Sequence, residues 1–380
     1  MKNKIIPSLI LFGCIFNTYT LYAQSDKVSY QIILESKIGY TKLDKESALN
    51  PANFMHIKTN NSLSQLYPIV SFNNTLNHTT TRLKVEGNLK NHNFEQDSTS
   101  FEMQEIYGQL SVDYKHYFTF GKKRLDWGTG MIWNPTNFFV QKDPLRTQNR
   151  LAGIFMLNYT YILTDGELSF YIFPDTETKD FKLALKYNYS GNRIDASLSF
   201  VEYKKYQQLG IDLSYGGDLF TLYSEGVVKN FTNSYRIATN GKLVLPKDRN
   251  GLFYIEAVVG TSIILNTRLH FTAEYRYRGN QLTSSELAIY KKQLPANLLL
   301  YDPISLSKNS CFASLTYSDL YNRWSLNLRT FFDPVSNQLI VSPLGTFTLN
   351  NFQIELSAMI YNNAFSLSDF QTQLLISYNF

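Results

Sequence analysis

The sequence predicts an all-β fold, a transmembrane antiparallel up-and-down β-barrel of about 18 strands. Apolar and polar residues alternate with the period of a β-strand from one end of the chain to the other. A polar stripe, often charged, lies opposite nearly every apolar stripe, and from Asp165 onward short turns and longer polar segments mostly alternate. In a closed barrel the apolar stripes face lipid, the polar stripes face a wet lumen, and every backbone group is paired.

The strands are assigned in chain order from the alternating runs and from the turn residues between them. They are predicted at residues 29–41, 67–76, 80–91, 101–113, 117–125, 151–163, 167–173, 181–189, 193–203, 207–215, 219–228, 252–264, 267–278, 310–317, 323–332, 338–348, 352–361 and 370–380. Sixteen strands is the close alternative, because the first strand and segment 117–125 alternate weakly. A soluble exported sandwich or propeller is the other alternative. An even strand number places all the longer segments on one side of the barrel: 42–66, 92–100, 126–150, 229–250 and 279–308.

The N-terminus has the layout of a secretory signal peptide. A basic Met-Lys-Asn-Lys start precedes an apolar stretch of about ten residues and a small residue at Ala23. We therefore expect cleavage of residues 1–23, leaving residues 24–380 as a single outer-membrane β-barrel domain. A retained anchor and a lipoprotein signal at Cys14 are the alternatives. The last strand ends in Phe380 and resembles the recognition signal of bacterial outer-membrane barrels, which implies contact with the barrel assembly machinery.

Residues with catalytic or metal-binding chemistry are scarce. The five histidines lack metal-ligand spacing, and there is no Gly-x-Ser-x-Gly elbow or phosphate-binding glycine loop. His270 shares a strand face with Thr272 and Glu274, but an ordinary lumen position explains it better than catalysis. The formal net charge of +5 is too mild to indicate nucleic-acid binding. We expect no enzyme activity, no cofactor, no catalytic or metal site and no nucleic-acid partner.

Charged residues of both signs occupy the polar stripes that would face the lumen. Mixed charges across a water-filled pore create transverse fields that select solutes, although such residues can also serve only to solvate the interior and to pair with one another. The predicted lumen row consists of Arg268, His270, Glu274, Arg276, Arg278, Arg329 and Glu355. Further predicted lumen charges are Lys84, Glu86, Lys182, Lys186, Arg193 and Asp195.

One stretch, from Gly121 to Phe139, breaks the strand alternation. It contains two of the three tryptophans, three glycines and Pro135, which forbids regular strand pairing. Two exposed tryptophans would be costly, so we favour an outer loop that folds inward and narrows the pore. A structural clasp without solute contact is the alternative. The constriction candidates are Lys122, Lys123, Arg124, Asp126, Trp127, Trp133, Asn137, Arg146 and Arg150.

The same stretch resembles a motif in a family of predicted Gram-negative outer-membrane porins. Gly121-Lys-Lys-Arg124, Asp126-Trp-Gly-Thr-Gly130 and Trp133-Asn-Pro-Thr-Asn137 are similar to the family's Gly-Arg-Gln-Arg, Trp-Gly-Thr-Gly and Trp-Asn-Pro-Thr-Asp segments. The chain departs from that pattern at Lys122, Lys123 and Asn137, and loss of a carboxylate at Asn137 would weaken any cation contact there. The resemblance implies an outer-membrane channel and names no substrate.

These observations together predict a porin-like channel for passive diffusion of small hydrophilic solutes. The chain would lie in the outer membrane, in contact with lipid and lipopolysaccharide, and could form a homo-oligomer. The alternative is a non-conducting outer-membrane barrel that acts as an assembly platform or as a surface-binding protein.

Overall fold

The fold is described from a computed structural model of the chain. The residues described are 27–43, 59–76, 78–92, 98–139, 152–174, 180–204, 206–230, 236–237, 243–244, 253–279, 281, 283–285, 308–319, 321, 323–335, 337–362 and 368–380. The predicted signal peptide, residues 1–23, lies outside them, and its cleavage stays a prediction. Among the described residues, no helix is both long and apolar enough to cross a bilayer.

The described residues include twenty β-strands, which make up nearly all of their secondary structure. In chain order they are β1 (Lys27–Leu43), β2 (Asn60–Leu76), β3 (Thr79–His92), β4 (Ser98–Val112), β5 (His116–Lys123), β6 (Ile154–Leu163), β7 (Gly166–Pro174), β8 (Phe181–Ser190), β9 (Ile194–Tyr203), β10 (Tyr206–Gly216), β11 (Phe220–Lys229), β12 (Arg236–Ile237), β13 (Leu243–Val244), β14 (Tyr254–Asn266), β15 (Leu269–Arg278), β16 (Asn309–Ser318), β17 (Trp324–Asp333), β18 (Gln338–Leu349), β19 (Phe352–Asn362) and β20 (Ser368–Asn379).

Eighteen of these strands form one closed antiparallel sheet, while β12 and β13 pair only with each other. Each barrel strand pairs with the next barrel strand along the chain. β1 pairs with β2 from Lys27↔Asn73 to Tyr40↔Asn60, and with β20 from Ile33↔Asn379 to Leu43↔Ser368. The first and last strands therefore close the ring. The predicted antiparallel up-and-down barrel is confirmed, with eighteen strands rather than sixteen.

The predicted strand ends differ from the structure mainly around β2, which begins at Asn60 rather than at residue 67. Five of the seven residues that the prediction missed, 60–66, are polar, so this part of the strand shows no apolar stripe. Pro68 lies inside the predicted strand and interrupts only the pairing with β3. The β2–β3 register runs from Leu66↔Leu89 directly to Ile69↔Glu86, and a proline has no N–H to donate there. The strand continues through this gap because Pro68 remains opposite Ile32 of β1. The fifth strand, predicted at 117–125, also ends earlier than expected, because β5 stops at Lys123.

The outer face of the barrel is mainly apolar and the inner face mainly polar, apart from the inward-facing apolar side chains that pack on Trp127 and Trp133. Large apolar side chains such as Phe120 (69% exposed), Leu326 (60%) and Leu356 (58%) point outward. Charged side chains such as Glu86 and Glu225 point inward and are buried. Because a water-soluble protein places its apolar residues inside, this inverted distribution is the one expected of a barrel surrounded by lipid.

Gly121 is paired with β4 and β6 near the end of β5, and its φ is +122°. A Cβ at this position would lie 2.3 Å from the Ile106 carbonyl oxygen and 2.8 Å from the Tyr107 Cα. We expect Gly121→Ala to lower the free energy of unfolding by at least about 2 kcal/mol, because both the backbone conformation and the space exclude a side chain. Urea unfolding in detergent micelles measures this value.

Gly226→Ala is the matched control for this prediction. Gly226 lies on an outward face, and a Cβ there would meet only Ile211 Cγ2, at 3.7 Å. Equal unfolding free energies for the two variants would contradict the strain assigned to Gly121.

Candidate functional site

Residues 124–139 form a segment that leaves β5 and lies inside the barrel; we call it the inner loop. Trp127 and Trp133 are 2% and 3% exposed, respectively, and both contact inward-facing side chains of the wall. They contact different parts of the wall, β6–β9 for Trp127 and mainly β16–β18 for Trp133. The inner loop therefore extends across the lumen from one part of the wall to another.

Trp127 anchors the first half of the inner loop. Its indole ring meets the Tyr171 and Phe139 rings edge-on, at centroid distances of 5.3 and 5.6 Å. The Lys186 ammonium lies 5.5 Å above the indole ring, in a cation–π contact. The buried apolar side chains around the anchor come from four consecutive strands: Met156, Tyr171, Phe173, Ala184 and Val201.

Trp133 anchors the second half in a similar way. Its ring lies edge-on to Phe331 at 6.0 Å and to Phe312 at 6.3 Å. The Arg276 guanidinium lies 4.6 Å above the indole ring. The buried apolar side chains that surround this anchor are Val258, Phe312, Phe331 and Ile340. Each tryptophan is thus held between apolar side chains and a wall cation.

The Glu225 carboxylate, on β11, binds the middle of the inner loop. It accepts hydrogen bonds from the Gly130 N–H at 2.5 Å, from the Asn134 side-chain amide at 3.1 Å, and from the Thr136 hydroxyl at 2.9 Å and N–H at 3.3 Å. Gly128 permits this close approach: its φ is +92°, and a Cβ there would lie 2.3 Å from Glu225 Oε1. The Glu225 carboxylate can therefore bind the inner loop at this position only because residue 128 is a glycine.

Glu274, on β15, binds the adjacent part of the backbone. Its Oε1 accepts the N–H groups of Met131 at 2.6 Å and Ile132 at 2.9 Å, and its Oε2 accepts that of Trp133 at 3.1 Å. The Tyr223 hydroxyl also donates to Oε1, at 2.8 Å. Three consecutive backbone N–H groups that have no strand partner are thus satisfied by one buried carboxylate.

A charge network holds the beginning of the inner loop against β3 and β4. The Arg124 guanidinium donates to both oxygens of Glu86, at 3.0 and 2.5 Å, and its backbone N–H donates to Glu105 at 2.8 Å. Lys84 lies 2.5 Å from Glu105 and 3.1 Å from Glu86. Two buried carboxylates are thus shared between two cations, in a bidentate arrangement for Arg124.

The structure separates the constriction candidates into several groups. Trp127, Trp133 and Asn137 are buried in the inner loop, whereas Asp126 is exposed. The Asn137 side-chain oxygen accepts the Phe139 N–H at 3.2 Å. Arg146 and Arg150 lie outside the described residues.

Lys122 requires a correction. It is still part of β5, where consecutive side chains point to opposite faces. Its strand partners are Ile106 and Phe155, both outward-facing, and its ammonium donates to the Met103 carbonyl oxygen. Lys122 therefore lies on the outer face and not in a lumen ring. Lys123 points inward, with its ammonium 5.0 Å from the Tyr107 ring centroid.

Most of the predicted lumen row lies where the alternation placed it. The residues with buried, inward-facing side chains are Glu274, Arg276, Arg278, Arg329 and Glu355. Arg268 instead lies in the turn before β15, and His270 is exposed at the start of that strand. Because Glu274 is occupied by inner-loop N–H groups, the His270–Thr272–Glu274 arrangement offers no free carboxylate for catalysis. Within the described residues there is no group of three His, Cys, Asp or Glu side chains that could hold a metal ion.

Glu225 was not among the predicted site residues, although it binds the inner loop as closely as Glu274 does. The outward side of its strand contains Ser224 and Gly226 as well as apolar residues, so the alternation around Glu225 is weak. The strand alternation does place Glu225 on the same inward face as Tyr223 and Val227. This predicts that Glu225 faces the lumen but does not predict its hydrogen bond to Gly130.

Comparison with solved structures finds barrels of the same fold. The chain resembles Pseudomonas aeruginosa OccK11 (OpdR), with a TM-score of 0.60 at 11% identity over 94% of this chain and 99% of that one. P. aeruginosa OccK5 (OpdH) gives a TM-score of 0.58 at 10% identity, over 92% and 98%. A mutant of Rhodopseudomonas blastica porin gives 0.52 at 8%, over 93% and 100%. No family model and no curated protein matches the chain. At these identities the similarity establishes the fold.

Neutralising Glu274 should loosen the inner loop. In Glu274→Gln, an amide NH₂ replaces one acceptor oxygen and faces backbone donors, so we expect a loss of about 2–3 kcal/mol in loop docking. Acrylamide quenching of tryptophan fluorescence, measured in a Trp324→Phe background, reports on Trp127 and Trp133 alone and should increase.

Glu102→Gln is the control for the Glu274 variant. Glu102 pairs with Lys90 at 2.9 Å, and its side chain is 41% exposed, so the substitution should cost little. Quenching that is the same in both variants and in the parent would show that Glu274 does not hold the inner loop.

Removing Arg124 should destabilise the barrel near β3 and β4. Arg124→Met leaves Glu86 and Glu105 buried with Lys84 as a shared cation, and we expect a loss of about 2–3 kcal/mol. This is a discounted value, because the Arg124 side chain is 30% exposed. The unfolding free energy in urea measures the loss, and adding Glu86→Gln should recover part of it.

Arg193→Met is the matched control for Arg124→Met. Arg193 pairs with Asp218 at 3.6 Å, with side chains 60% and 90% exposed, so its loss should change the unfolding free energy by less than about 1 kcal/mol. A similar cost for the two arginine variants would rule out a special role for the Arg124 network.

Proposed function

We propose that this chain is an outer-membrane channel through which small hydrophilic solutes pass by diffusion, and that the inner loop narrows the passage. The observation that carries the proposal is the fixed course of the inner loop inside the barrel, with Trp127 and Trp133 docked on different parts of the wall. A segment held at both ends inside a barrel reduces the cross-section at that depth. The likeness to porin structures supports the same function.

The outer surface supports this location. Most outward-facing side chains of the barrel strands are apolar, which suits contact with lipid. We propose that export removes residues 1–23 and that the barrel assembly machinery recognises the last strand. Phe380 is 65% exposed and its N–H donates to the Ile32 carbonyl at 2.9 Å, so its ring is available at the sheet surface.

Solute preference would depend on the cations beside the inner loop. Lys186 and Arg276 lie over the two tryptophan anchors, while Glu225 and Glu274 are occupied by loop N–H groups. Both cations are themselves buried, 8% and 7% exposed, so the sign of the preference would also depend on the other inward-facing charges.

A non-conducting barrel is the second candidate. Inward-facing polar side chains are buried on many of the barrel strands, including Ser310, Ser342 and Glu355. Such burial favours a densely filled interior. A filled barrel would serve as an assembly platform or hold a partner on its outer loops. We expect no enzyme activity in either case.

Conductance in planar bilayers separates the two candidates. Trp127→Ala combined with Trp133→Ala removes both anchors, each of which should cost about 3–5 kcal/mol, and should release the inner loop. We expect discrete single channels from the parent protein and a larger conductance from the double variant. The control is Trp324→Ala, because Trp324 lies on the outer face, 58% exposed. A folded, heat-modifiable sample without conductance above the lipid background would overturn the channel proposal.

A further inference from the structure

The outer face of β3–β7 contains an apolar groove of about 470 Å³. Its floor is at Gly108, where the absence of a side chain leaves a depression between neighbouring strands. The strand register places Leu83 and Phe120 on either side of Gly108. The outward apolar side chains that line the groove are Leu83, Leu110, Phe118, Phe120, Leu157 and Phe170.

One end of the groove is polar. His116 lies on the same outward face as Phe118 and Phe120, and its Nδ1 is 2.9 Å from the Tyr159 hydroxyl. The Tyr161 ring lies 5.1 Å from the His116 ring. Lys115 precedes His116 in the β4–β5 turn and is exposed. An apolar groove therefore leads to a pair of hydroxyl and imidazole groups at the side of the barrel with the short turns, and Lys115 is next to this pair in the chain.

We propose that this groove binds one glycerophospholipid, with an acyl chain along Gly108 and its phosphate at Lys115 and His116. This inference rests on the proposed placement of the barrel in a membrane. The cationic and hydroxyl groups at the polar end match a phosphate diester. From His116 to Phe120 the strand is about 14 Å long, and at the usual tilt of about 40° it spans about 10 Å along the membrane normal, within the hydrocarbon thickness of one leaflet, about 15 Å.

The opposite end of the groove limits the length of the bound chain. Beyond Phe120, the next outward residue on β5 is Lys122, whose ammonium donates to the Met103 carbonyl oxygen. An acyl chain that starts at His116 therefore meets a polar group about 20 Å further along the strand. A lipid from the leaflet on the short-turn side fits between these limits.

The test is a substitution that fills the groove with a side chain, followed by measurement of the phospholipid that remains bound. The parent protein, Gly108→Leu and Gly226→Leu are refolded into vesicles of phosphatidylethanolamine and phosphatidylglycerol, extracted in mild detergent, and weighed by native mass spectrometry. A Cβ at Gly108 meets only the flexible Leu83 Cδ2, at 3.2 Å, and the rest of the leucine extends from the outer face into the groove, so the variant can fold. Gly226 is also outward-facing on a barrel strand, and it lies outside the groove.

We expect Gly108→Leu to retain about tenfold less phospholipid than the parent, because the new side chain displaces buried methylenes of the acyl chain. Gly226→Leu should retain as much as the parent. A double variant, Lys115→Ala with His116→Phe, keeps the apolar groove and should lose the preference for phospholipid over diacylglycerol offered in the same vesicles.

Three results would overturn the proposal. The first is that Gly108→Leu and the parent retain equal amounts of phospholipid, and the second is that the parent retains none. The third is that the parent forms oligomers which the Gly108→Leu substitution dissociates. The last result would assign the groove to a second copy. Heat-modifiable folding and bilayer conductance are recorded for every variant. A parent that inserts and conducts but holds no phospholipid contradicts only this inference, whereas a folded parent that does not conduct contradicts the proposed function.

Discussion

The interior of this barrel depends on two buried carboxylates that accept the backbone N–H groups of a loop without strand partners. Glu225 and Glu274 are 2% and 3% exposed, and neither charge would be tolerable there without donors. The N–H groups of residues 130–133 face the same problem, since a buried donor without an acceptor is costly. The wall supplies the hydrogen-bond acceptors and the loop supplies the donors, so each stabilises the other.

These hydrogen bonds determine which charges of the lumen a passing solute can meet. The inward-facing residues include both acids and bases. The acids nearest the inner loop already accept hydrogen bonds or pair with cations. Glu86 and Glu105 are shared by Arg124 and Lys84, and Glu256 accepts Lys229 at 2.7 Å. The field met by a solute therefore depends on which charges remain outside these pairs. A count of lysine and arginine in the sequence does not report it.

Local periodicity predicted most of the strands because the outward face of a barrel strand stays mainly apolar while much of the inward face is polar. The prediction was weakest where apolar residues are few, as in residues 60–66 at the start of β2. The inner loop was also visible, since its tryptophans and glycines fail to alternate. Its docking was not, because Glu274 is 143 positions from Met131 and no local pattern links them. Only the closure of the barrel brings them together.

The departure of the inner loop also leaves a gap in the wall that other groups must fill. β5 has eight residues and its neighbour β4 has fifteen, so the first half of β4 has no β5 partner. The Gln104 carbonyl accepts the Gly153 N–H at 2.9 Å, and the Met103 carbonyl accepts the Lys122 ammonium. Backbone groups facing lipid must be satisfied within the protein. Lys122, which leads the loop motif in sequence, thus completes the wall, while Arg124, two residues later, fastens the loop inside it.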